Sequence, residues 1–299
     1  MSYTIGIDLG GSHVKAVVVS PQGETLANHN LPFDPSIKMD WGRCIKQTIE
    51  ETEAKQDSPA DNVGLSAPGL ASLDGNCIIH MPDRLEGLVN LNWQDYLSLD
   101  KPVPVVNDGH SALLGEAWLG AAKGFKNVIL LTLGTGVGGA ALVEGKLLRG
   151  RTGKGGHFGH TSLGSGQPID ICNCPNSLEL AIGNCSVPKR SNNRFSHTGE
   201  MMAAIEKGDK EAEKIWLKSI EDLATAICSF SNILDPEAII IGGGIANAGN
   251  RLFNPLRDFL DPILWKTDDY ELKLIPAELG DLAGAYGAAA HANGILDSE

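Results

Sequence analysis

The sequence predicts an α/β protein with two lobes. The same pattern of strand, glycine turn and strand occurs at 3–20 and again at 128–143, more than a hundred residues further along. Closely spaced glycines let backbone N–H groups point into one concavity, which can hold a phosphate without a charged side chain. Polar turns also follow apolar strands at 66–69 and 107–108, and open α/β sheets place ligand crevices at such strand ends.

Length, net charge and cysteine content limit the kinds of partner and the cellular compartment that we expect for this protein. A chain of 299 residues is long enough for two separate cores, and a net charge of -13 argues against nucleic acid or an anionic membrane surface as the partner. No apolar run approaches the ~20 residues that span a bilayer, and we expect no signal peptide because the first residues lack a basic segment followed by an apolar one. Six cysteines, of which only Cys172 and Cys174 are clustered, indicate a reducing compartment and a candidate metal site. We therefore expect a cytoplasmic protein that acts on a small molecule.

The first part of the chain alternates apolar strands with turns and helices. The two strands of the first hairpin surround Gly10 and Gly11, and residues 45, 49 and 52 share one face of a helix that begins near Asp40. The predicted elements are, in order, strands at 3–9 and 14–19, this helix, strands at 63–65 and 104–106, and a helix at 111–119.

The second part of the chain repeats the hairpin and ends in small residues. A region at 149–200, rich in Gly, Ser and Asn, is predicted to be irregular, and loops of that length inside a compact domain are usually functional. The predicted elements are, in order, the hairpin at 128–143, a helix at about 208–233, a buried strand at 238–241, a strand at 272–275 and a small-residue helix at 284–290.

Three features favour a phosphate site over two ordinary glycine turns. Asp8 stands at the start of the first turn, where a carboxylate can hold hydrated Mg²⁺. The segment that follows offers the Ser12 hydroxyl and backbone donors to a phosphoryl group. A third glycine cluster, at 242–244, follows a strand and opens a helix, which suits the sugar or α-phosphate end of a nucleotide. The spacing matches neither a dinucleotide fingerprint nor a Walker A motif, and ordinary turns remain the alternative for either hairpin taken alone.

A set of short motifs, in order along nearly the whole chain, resembles the ROK family of sugar kinases and sugar-sensing repressors. The motifs are 7–15 (IDLGGSHVK), 67–69 (APG), 107–108 (ND) with 114–116 (LGE), 133–139 (LGTGVGG), 159–160 (GH), 172–174 (CNC) and 241–245 (IGGGI). The resemblance implies two RNase H-like lobes of the actin-like ATPase type with a ligand cleft between them. It also implies ATP-dependent phosphorylation of a hexose-like sugar and a homodimer or higher oligomer. A small lobe is expected at 1–106, with a C-terminal helix at about 280–299 packing back on it, and a large lobe at 107–279.

The resemblance assigns roles to individual residues. Asp108 takes the place of the catalytic base, and a carboxylate that accepts the proton of a sugar hydroxyl is how kinases activate this poor nucleophile. The alternative is that the polar pair at 107–108 only caps a helix. The predicted substrate ligands are Gly69, Asn107, Asp108, His157, His160 and Glu179. The predicted ATP and phosphate ligands are Asp8, Gly10, Gly11, Ser12, Lys15, Gly134, Thr135, Gly136, Gly138, Gly243 and Gly244.

The chain departs from the family pattern at the predicted sugar site. Family kinases carry a glutamate in Gly-Glu-x-Gly-His, where this chain has His157. An imidazole donates as well as accepts hydrogen bonds, so we expect it to favour a different hydroxyl stereochemistry or an anionic substituent. A surface histidine without a role in binding is the alternative. In either case the substrate need not be glucose.

A second departure affects the zinc motif of the family, C-x-C-G-x-x-G-C-x-E. The corresponding segment at 172–179 is CNCPNSLE, which is two residues shorter and has no third cysteine in place. Structural zinc takes four N or S ligands. His160, Cys172 and Cys174 are the candidate zinc ligands, with Cys185 as an open fourth, and a metal-free loop is the alternative.

The leading hypothesis is a cytoplasmic kinase that uses ATP and Mg²⁺ to phosphorylate a sugar or sugar derivative. A sugar-responsive repressor is rejected because we expect no helix-turn-helix ahead of the first strand and the chain is acidic. A sugar-binding protein with altered or lost kinase activity, or a kinase for a non-glucose sugar or polyol, stays an alternative because of His157 and the altered zinc motif. The presence of Asp8, Asp108 and three glycine clusters favours the kinase.

Overall fold

The computed structural model describes residues 2–81, 84–267 and 271–295, and its mixture of helices and sheets confirms the predicted α/β class. Contacts within the chain divide it into two compact units. The first unit comprises Met1–Gly124, Gly145–Gly156 and Glu278–Glu299. The second unit comprises Phe125–Glu144 and His157–Ala277.

The elements follow the predicted order. Up to residue 124 they are β1 (Thr4–Leu9), β2 (His13–Val19), β3 (Thr25–Pro32), α1 (Asp40–Gln56), β4 (Asn62–Ala67), β5 (Leu70–Ala71), β6 (Ile78–His80), α2 (Trp93–Leu97), β7 (Val105–Asn107) and α3 (Asp108–Leu119). Beyond it they are β8 (Val128–Leu133), β9 (Val137–Val143), β10 (Lys146–Leu147), α4 (Leu178–Ile182), α5 (Val187–Arg190), α6 (Thr198–Glu206), α7 (Lys210–Leu234), β11 (Ala238–Gly242), α8 (Asn250–Leu260), β12 (Lys273–Pro276) and α9 (Ala283–Ala292). Short 3₁₀ helices lie at Phe158–His160, Asn184–Ser186, Gly244–Ala248 and Gly280–Leu282.

The first unit is built on a sheet with strand order β3-β2-β1-β4-β7. β1, β2 and β3 pair antiparallel, whereas β4 and β7 run parallel to β1. β1 is buried along nearly its whole length because α1 and α9 both contact it, and a strand covered on both faces is apolar without alternation. The carboxyl ends of β1, β4 and β7 therefore lie side by side at one edge of the sheet.

The predicted small-residue helix is α9, and it packs closely on β1, β4 and α3. A Cβ added to Gly6 would lie 2.0 Å from the carbonyl oxygen of Ala285, and one added to Gly64 would lie 2.1 Å from that of Ala288. At the crossing with α3, a Cβ on Gly287 would lie 1.7 Å from the carbonyl oxygen of Ser111. Side chains larger than hydrogen cannot fit at these three positions, so the glycines permit the close approach of the backbones.

A buried carboxylate fastens the end of α3 to the segment that leads into α9. Glu116 is fully buried, and its carboxylate oxygens accept hydrogen bonds from the backbone N–H groups of Ala121 at 2.7 Å, Glu278 at 3.0 Å and Leu279 at 2.8 Å. Buried backbone donors require such partners, since an unpaired one loses its hydration without compensation. Glu116 thus holds together parts of the first unit that are far apart in the chain.

The sheet of the second unit, like that of the first, contains an antiparallel hairpin followed by parallel strands. β8 and β9 form the antiparallel glycine hairpin, and β11 and β12 continue the sheet parallel to β8. The predicted long helix is α7, whose buried residues form one stripe. Asp209 caps it, since its side chain accepts hydrogen bonds from the backbone N–H groups of Glu211 and Ala212.

Two sequence predictions differ from the structure in extent. The region at 149–200 contains α4, α5 and the start of α6, and helices of four or five residues are too short to show a periodic pattern. The compact units also have other bounds than the predicted lobes at 1–106 and 107–279, because α3 packs along α9 and joins the first unit. The C-terminal helix covers Ala283–Ala292 of the expected 280–299, and residues 296–299 lie outside the described residues. That the two units act as the lobes of one enzyme stays a prediction.

Candidate active site

At the junction of β7 and α3, the residue that caps the helix is Asn107 and not Asp108. The side chain of Asn107 caps α3 by accepting hydrogen bonds from the backbone N–H groups of Gly109 at 3.0 Å and His110 at 3.2 Å. Asp108 is the first residue of the helix and is exposed. Of the pair at 107–108, Asn107 is therefore the residue that caps the helix, and the Asp108 carboxylate lies at the surface at the carboxyl end of a buried strand.

Asn107 also connects this junction to the turn after β4. Its side-chain N–H₂ donates to the carbonyl oxygen of Gly69 at 2.8 Å and to Oδ1 of Asp108 at 3.0 Å. The same Oδ1 accepts the backbone N–H of Gly109 at 2.8 Å, so two donors orient the Asp108 carboxylate. Gly69 has a φ of 100°, which an L side chain rarely adopts, and so the turn that brings its carbonyl to Asn107 requires glycine.

Asp8 lies on the neighbouring strand at the same edge of the sheet. The parallel register of β1 and β4 pairs Asp8 with Ser66, and the Ser66 hydroxyl donates to Oδ1 of Asp8 at 2.6 Å. The antiparallel register of β1 and β2 places Lys15 opposite it. A Cβ on Gly284 at the start of α9 would lie 2.7 Å from the Asp8 carboxylate, so this glycine makes room for the side chain.

The surroundings of Asp8 favour its neutral form. Burial raises the pKa of Asp8 from the ordinary 3.8 to about 6, and the nearby Asp108 and Asp281 carboxylates act in the same direction. The hydrogen bond from Ser66 and the charge of Lys15 oppose this shift without cancelling it. Carboxylates that repel one another in a partly buried setting are stabilised by a cation, and oxygen ligands of this kind suit Mg²⁺.

The first glycine turn has the expected hairpin geometry. The backbone N–H of Gly10 donates to the carbonyl oxygen of His13 at 2.9 Å, and Gly11 and Ser12 are exposed at the tip. The Ser12 hydroxyl lies 2.9 Å from Nδ1 of His13. Lys15 forms an ion pair of 3.0 Å with Asp281, which precedes α9. Four of the predicted phosphate ligands thus lie on the hairpin that carries Asp8, namely Gly10, Gly11, Ser12 and Lys15.

The second glycine turn is held by a 3₁₀ helix of its own unit. The carbonyl oxygens of Gly134 and Thr135 accept hydrogen bonds from the backbone N–H groups of Asn184 at 3.0 Å and Cys185 at 2.8 Å. Within the turn, the N–H of Gly134 donates to the carbonyl oxygen of Gly136 at 3.0 Å. A Cβ on Gly134 would meet nothing within 4 Å, so there is open space beside that residue.

Glu179, a predicted sugar ligand, contacts the same turn. Its Oε2 accepts the backbone N–H of Val137 at 3.0 Å, and a Cβ on Gly136 would lie 2.1 Å from this oxygen. Gly138 is close to the side chain of Thr132, where a Cβ would lie 2.3 Å from the hydroxyl oxygen. The second glycine turn and Glu179 on α4 are therefore parts of one arrangement in the second unit.

The third glycine cluster meets the end of β8. Gly243 has a φ of 84°, and a Cβ on it would lie 2.4 Å from the carbonyl oxygen of Leu133. A Cβ on Gly244 would meet nothing within 4 Å. The helix predicted after this cluster is a 3₁₀ helix, Gly244–Ala248, followed by α8. The predicted ligands Gly243 and Gly244 thus lie beside the base of the second glycine turn.

The structure assembles the predicted zinc ligands only in part. Nε2 of His160 lies 3.4 Å from Sγ of Cys172, but among the described residues the group that could surround a metal ion consists of His160, Cys172 and Asp170. Cys174 and Cys185 do not belong to this group. Asp170 was not among the predicted site residues, because an aspartate two positions before Cys172 has no distinctive pattern.

Asp170 is the centre of the loop that contains these cysteines. Its side chain is fully buried, and its Oδ2 lies 2.8 Å from Nδ1 of His160. Burial alone would raise the pKa of Asp170, but hydrogen bonds from His160 and from the backbone of Cys174 and Cys172, with a contribution from Ser177, outweigh burial and hold the pKa below its usual value. Asp170 is therefore a carboxylate stabilised by protein donors.

The predicted residues form two groups, one in each unit. Asp8, Gly69, Asn107 and Asp108 share the carboxyl edge of the first sheet. The second group joins Glu179 to the glycine turn at 134–138. His157 is half-buried and directly precedes the 3₁₀ helix that contains His160. Ser66, which positions Asp8, was not among the predicted site residues because its role depends on strand register.

A sequence model of the ROK family matches residues 4–295. The protein belongs to the ROK family. The chain is 30% identical to a glucokinase of Halalkalibacterium halodurans, over 95% of this chain and 92% of the relative. It is also 30% identical to a glucokinase of Thermotoga maritima, over 95% of each chain. An N-acetyl-D-glucosamine kinase of Pasteurella multocida is 26% identical, over 95% of this chain and 97% of the relative.

Solved structures of ROK proteins share the fold. A ROK hexokinase from Thermus thermophilus superposes with a TM-score of 0.86 at 27% identity, covering 99% of this chain and 100% of that one. A ROK glucokinase from Streptomyces griseus, solved with glucose and AMPPNP, has a TM-score of 0.77 at 24% identity, covering 97% and 99%. In the described part of this ROK chain, no helix combines the length and the apolar character needed to cross a bilayer.

The raised pKa of Asp8 predicts how the stability of this ROK protein depends on pH. A carboxyl whose folded pKa exceeds its unfolded value stabilises the fold most at low pH and loses that contribution as the pH rises through the folded pKa. We expect the free energy of unfolding of the wild type, minus that of Asp8→Asn, to fall by about 3 kcal/mol between about pH 4 and pH 7. Urea denaturation over this range, without nucleotide, measures the difference.

Asp74 provides a control, because its contribution to the free energy of unfolding is expected to change with pH in the opposite direction. Hydrogen bonds from Ser72 and Asn76 lower the pKa of the exposed Asp74 carboxyl. The wild type minus Asp74→Asn difference is therefore expected to rise with pH over the acidic range. Parallel pH curves for the wild type and Asp8→Asn would contradict the raised pKa of Asp8.

Proposed function

We propose that the protein is an ATP-dependent carbohydrate kinase that transfers the γ-phosphoryl group to a sugar hydroxyl, with Asp108 as the general base. The observation that carries this proposal is that Asn107, and not Asp108, caps α3 at the junction with β7. Asn107 caps the helix, which leaves the exposed Asp108 carboxylate at the strand edge that also contains Asp8. The names of the three relatives reported above, two glucokinases and an N-acetyl-D-glucosamine kinase, support the same reaction class.

Asp108 would act on the acceptor hydroxyl. An alcohol attacks phosphorus poorly until its proton is removed, and a positioned carboxylate can accept that proton as the phosphoryl group is transferred. The hydrogen bonds from Asn107 and from the backbone of Gly109 fix the orientation of the carboxylate before the sugar arrives. Preorganisation of this kind lowers the barrier without a cost at the moment of reaction.

The glycine turns would bind the nucleotide. In the first unit, the exposed tip at 11–12 would offer backbone N–H groups and the Ser12 hydroxyl, and in the second unit the turn at 134–138 would offer a similar cradle. Asp8 would hold the Mg²⁺ of the nucleotide, because its carboxylate is repelled by Asp108 and gains from a cation. Bound Mg²⁺ would supply positive charge for the transferring phosphoryl group.

The proposed sugar ligands are Gly69 and Asn107 in the first unit and His157, His160 and Glu179 in the second unit. Histidine in place of the family glutamate at position 157 supports a substrate other than glucose, such as a hexose derivative, another sugar or a polyol. We also propose, from family membership, a homodimer or higher homo-oligomer in the cytoplasm. The net charge of -13 supports the exclusion of nucleic acid as the main partner.

The test is a coupled assay of ADP release with ATP, Mg²⁺ and a panel of acceptors. The panel contains glucose, mannose, fructose, N-acetylglucosamine, N-acetylmannosamine, anionic sugars and polyols. We expect ADP release that depends on at least one acceptor, with the phosphorylated product visible by mass spectrometry. Sugar binding by calorimetry without any turnover would instead support the alternative, a sugar-binding ROK protein that has lost kinase activity.

The role of His157 can be tested by restoring the family residue. We expect His157→Glu to shift the ratio of kcat/KM values towards the common hexoses, because a carboxylate accepts hydrogen bonds from sugar hydroxyls and cannot donate. The magnitude expected for one polar contact is roughly tenfold in this ratio. The same assay measures it.

The matched control is His197→Glu, since His197 is an exposed histidine of the same unit. We expect this variant to keep the wild-type preference. An unchanged preference in His157→Glu as well would show that residue 157 does not read the sugar.

A further inference from the structure

The loop that carries the altered zinc motif is closed by hydrogen bonds that converge on one side chain. Oδ1 of Asp170 accepts the backbone N–H groups of Cys172 and Cys174, both at 2.8 Å, while Oδ2 lies 2.8 Å from Nδ1 of His160. Three donors from different parts of the loop thus meet on one buried carboxylate. A metal ion joins distant loop residues in the same way, through ligands that converge on one point.

The remaining groups of the loop do not complete a zinc site. The Ser177 hydroxyl is buried and lies near the Asp170 carboxylate, and a neutral hydroxyl is not among the usual ligands of structural zinc. Sγ of Cys174 lies 3.9 Å from the carbonyl oxygen of Pro175 and outside the group formed by His160, Asp170 and Cys172. Only one thiol therefore faces the imidazole, and both oxygens of the one carboxylate already accept hydrogen bonds.

The spacing of the sequence explains this donor set. Glu179 is in place at the start of α4, as the last residue of the pattern C-x-C-G-x-x-G-C-x-E. Counted back from Glu179 without a gap, the three cysteine positions fall on Asp170, Cys172 and Ser177. The motif is therefore not shortened, as the alignment on its first two cysteines suggested. Two of its three thiols are replaced by a carboxylate and a hydroxyl, and Cys174 occupies a position where the pattern has no ligand.

We propose that this loop is metal-free and that Asp170 replaces the zinc ion as its structural centre. On this proposal His160 and Cys172 are not zinc ligands. The loop ends on α4, where the backbone N–H of Leu178 donates to the carbonyl oxygen of Thr161 at 2.9 Å. Asp170 thereby positions Glu179, whose Oε2 contacts the glycine turn at Val137. The effect on sugar binding rests on the proposed function, but the absence of zinc does not.

The first experiment measures zinc content and stability in the purified wild-type protein, and neither readout depends on kinase activity. We expect far less than one zinc per chain by mass spectrometry of the metal, and a melting temperature that neither a zinc-selective chelator nor added zinc changes. Cys172→Ser should leave the melting temperature near that of the wild type. Stoichiometric zinc that is lost in Cys172→Ser, together with a lower melting temperature, would overturn the proposal.

The second experiment restores the missing thiols. The double variant Asp170→Cys/Ser177→Cys places His160 with cysteines at all three motif positions, and we expect it to bind about one zinc per chain and to become sensitive to the chelator. A folded double variant that does not bind zinc would overturn the assignment of Asp170 and Ser177 to these positions. The single variant Asp170→Ala removes the structural centre, and we expect it to melt several degrees lower.

A control separates the loop from general instability. Asp74→Ala removes another aspartate that accepts hydrogen bonds within its own loop, but this one is exposed. We expect it to lower the melting temperature less than Asp170→Ala does. Equal melting temperatures for Asp170→Ala and the wild type would contradict the structural role of Asp170. Loss of kinase activity in all variants, with unchanged zinc results, would bear on the proposed function alone.

Discussion

The Asp108→Asn variant is expected to lose turnover by a factor of about 10² to 10⁴, the range that a positioned general base contributes. Asparagine has nearly the same shape and can accept the hydrogen bonds that Asn107 and the backbone of Gly109 donate to Oδ1. It cannot take up the proton of the sugar hydroxyl. The effect should therefore fall on kcat, with binding of a non-hydrolysable ATP analogue and of the sugar nearly unchanged. Steady-state assays of ADP release and calorimetry measure the two quantities.

The matched control for this variant is Asp95→Asn. Asp95 is also an exposed aspartate in the first turn of a helix of the first unit. We expect its removal to leave kcat unchanged, and both variants to keep the wild-type melting temperature because Asn107 remains as the cap of α3. A near-normal kcat for Asp108→Asn would move the general base to another residue. A reduced melting temperature with normal kcat would instead support a capping role.

The Glu116→Ala variant is expected to have the largest effect on stability. It leaves the backbone N–H groups of Ala121, Glu278 and Leu279 without their acceptor. Each buried donor left unpaired costs about 1–3 kcal/mol, so the free energy of unfolding should fall by about 3 kcal/mol or more. Urea denaturation monitored by far-UV circular dichroism measures this loss.

Glu50→Ala is the control for Glu116→Ala, because Glu50 is an exposed glutamate within α1 of the same unit. Its removal should change the free energy of unfolding by no more than about 0.5 kcal/mol. If Glu116→Ala behaved like Glu50→Ala, the hydrogen bonds of Glu116 would contribute nothing to holding α3 against the segment before α9.

Local sequence patterns predicted several of the elements and the order in which those occur, but not β3, α2 or α6. The glycine hairpin at 128–143 and the long helix at about 208–233 each have a pattern that a short stretch of chain can carry, namely a broken apolar run and a periodic stripe. The extent of the compact units could not be predicted in this way. It depends on α9, whose small residues identify it as a helix that packs closely but do not identify its partner.

In the candidate site, too, local patterns identified residues but not the contacts between residues that are distant in the chain. Asp108 and the glycine turns were predicted from motifs, and their spacing along the chain was enough. Ser66 and Asp170 act through a contact with a residue that is distant in sequence or through backbone N–H groups, and neither kind of contact leaves a local pattern. Glu116 lies in the motif at 114–116, but that motif does not indicate the backbone N–H groups that it binds. Asp170 had one recoverable signal, which is its position when the motif is counted back from Glu179.

The close packing of α9 on Gly6 and Gly64 has a consequence for biosynthesis. The strands of the first sheet leave the ribosome early, but the helix that covers one of their faces is encoded at 283–292, after all of the second unit. Translation is slow compared with the collapse of a domain, so the second unit can condense while the first sheet still lacks its cover. A nascent chain that stalls before Ala283 would present an uncovered apolar face to chaperones.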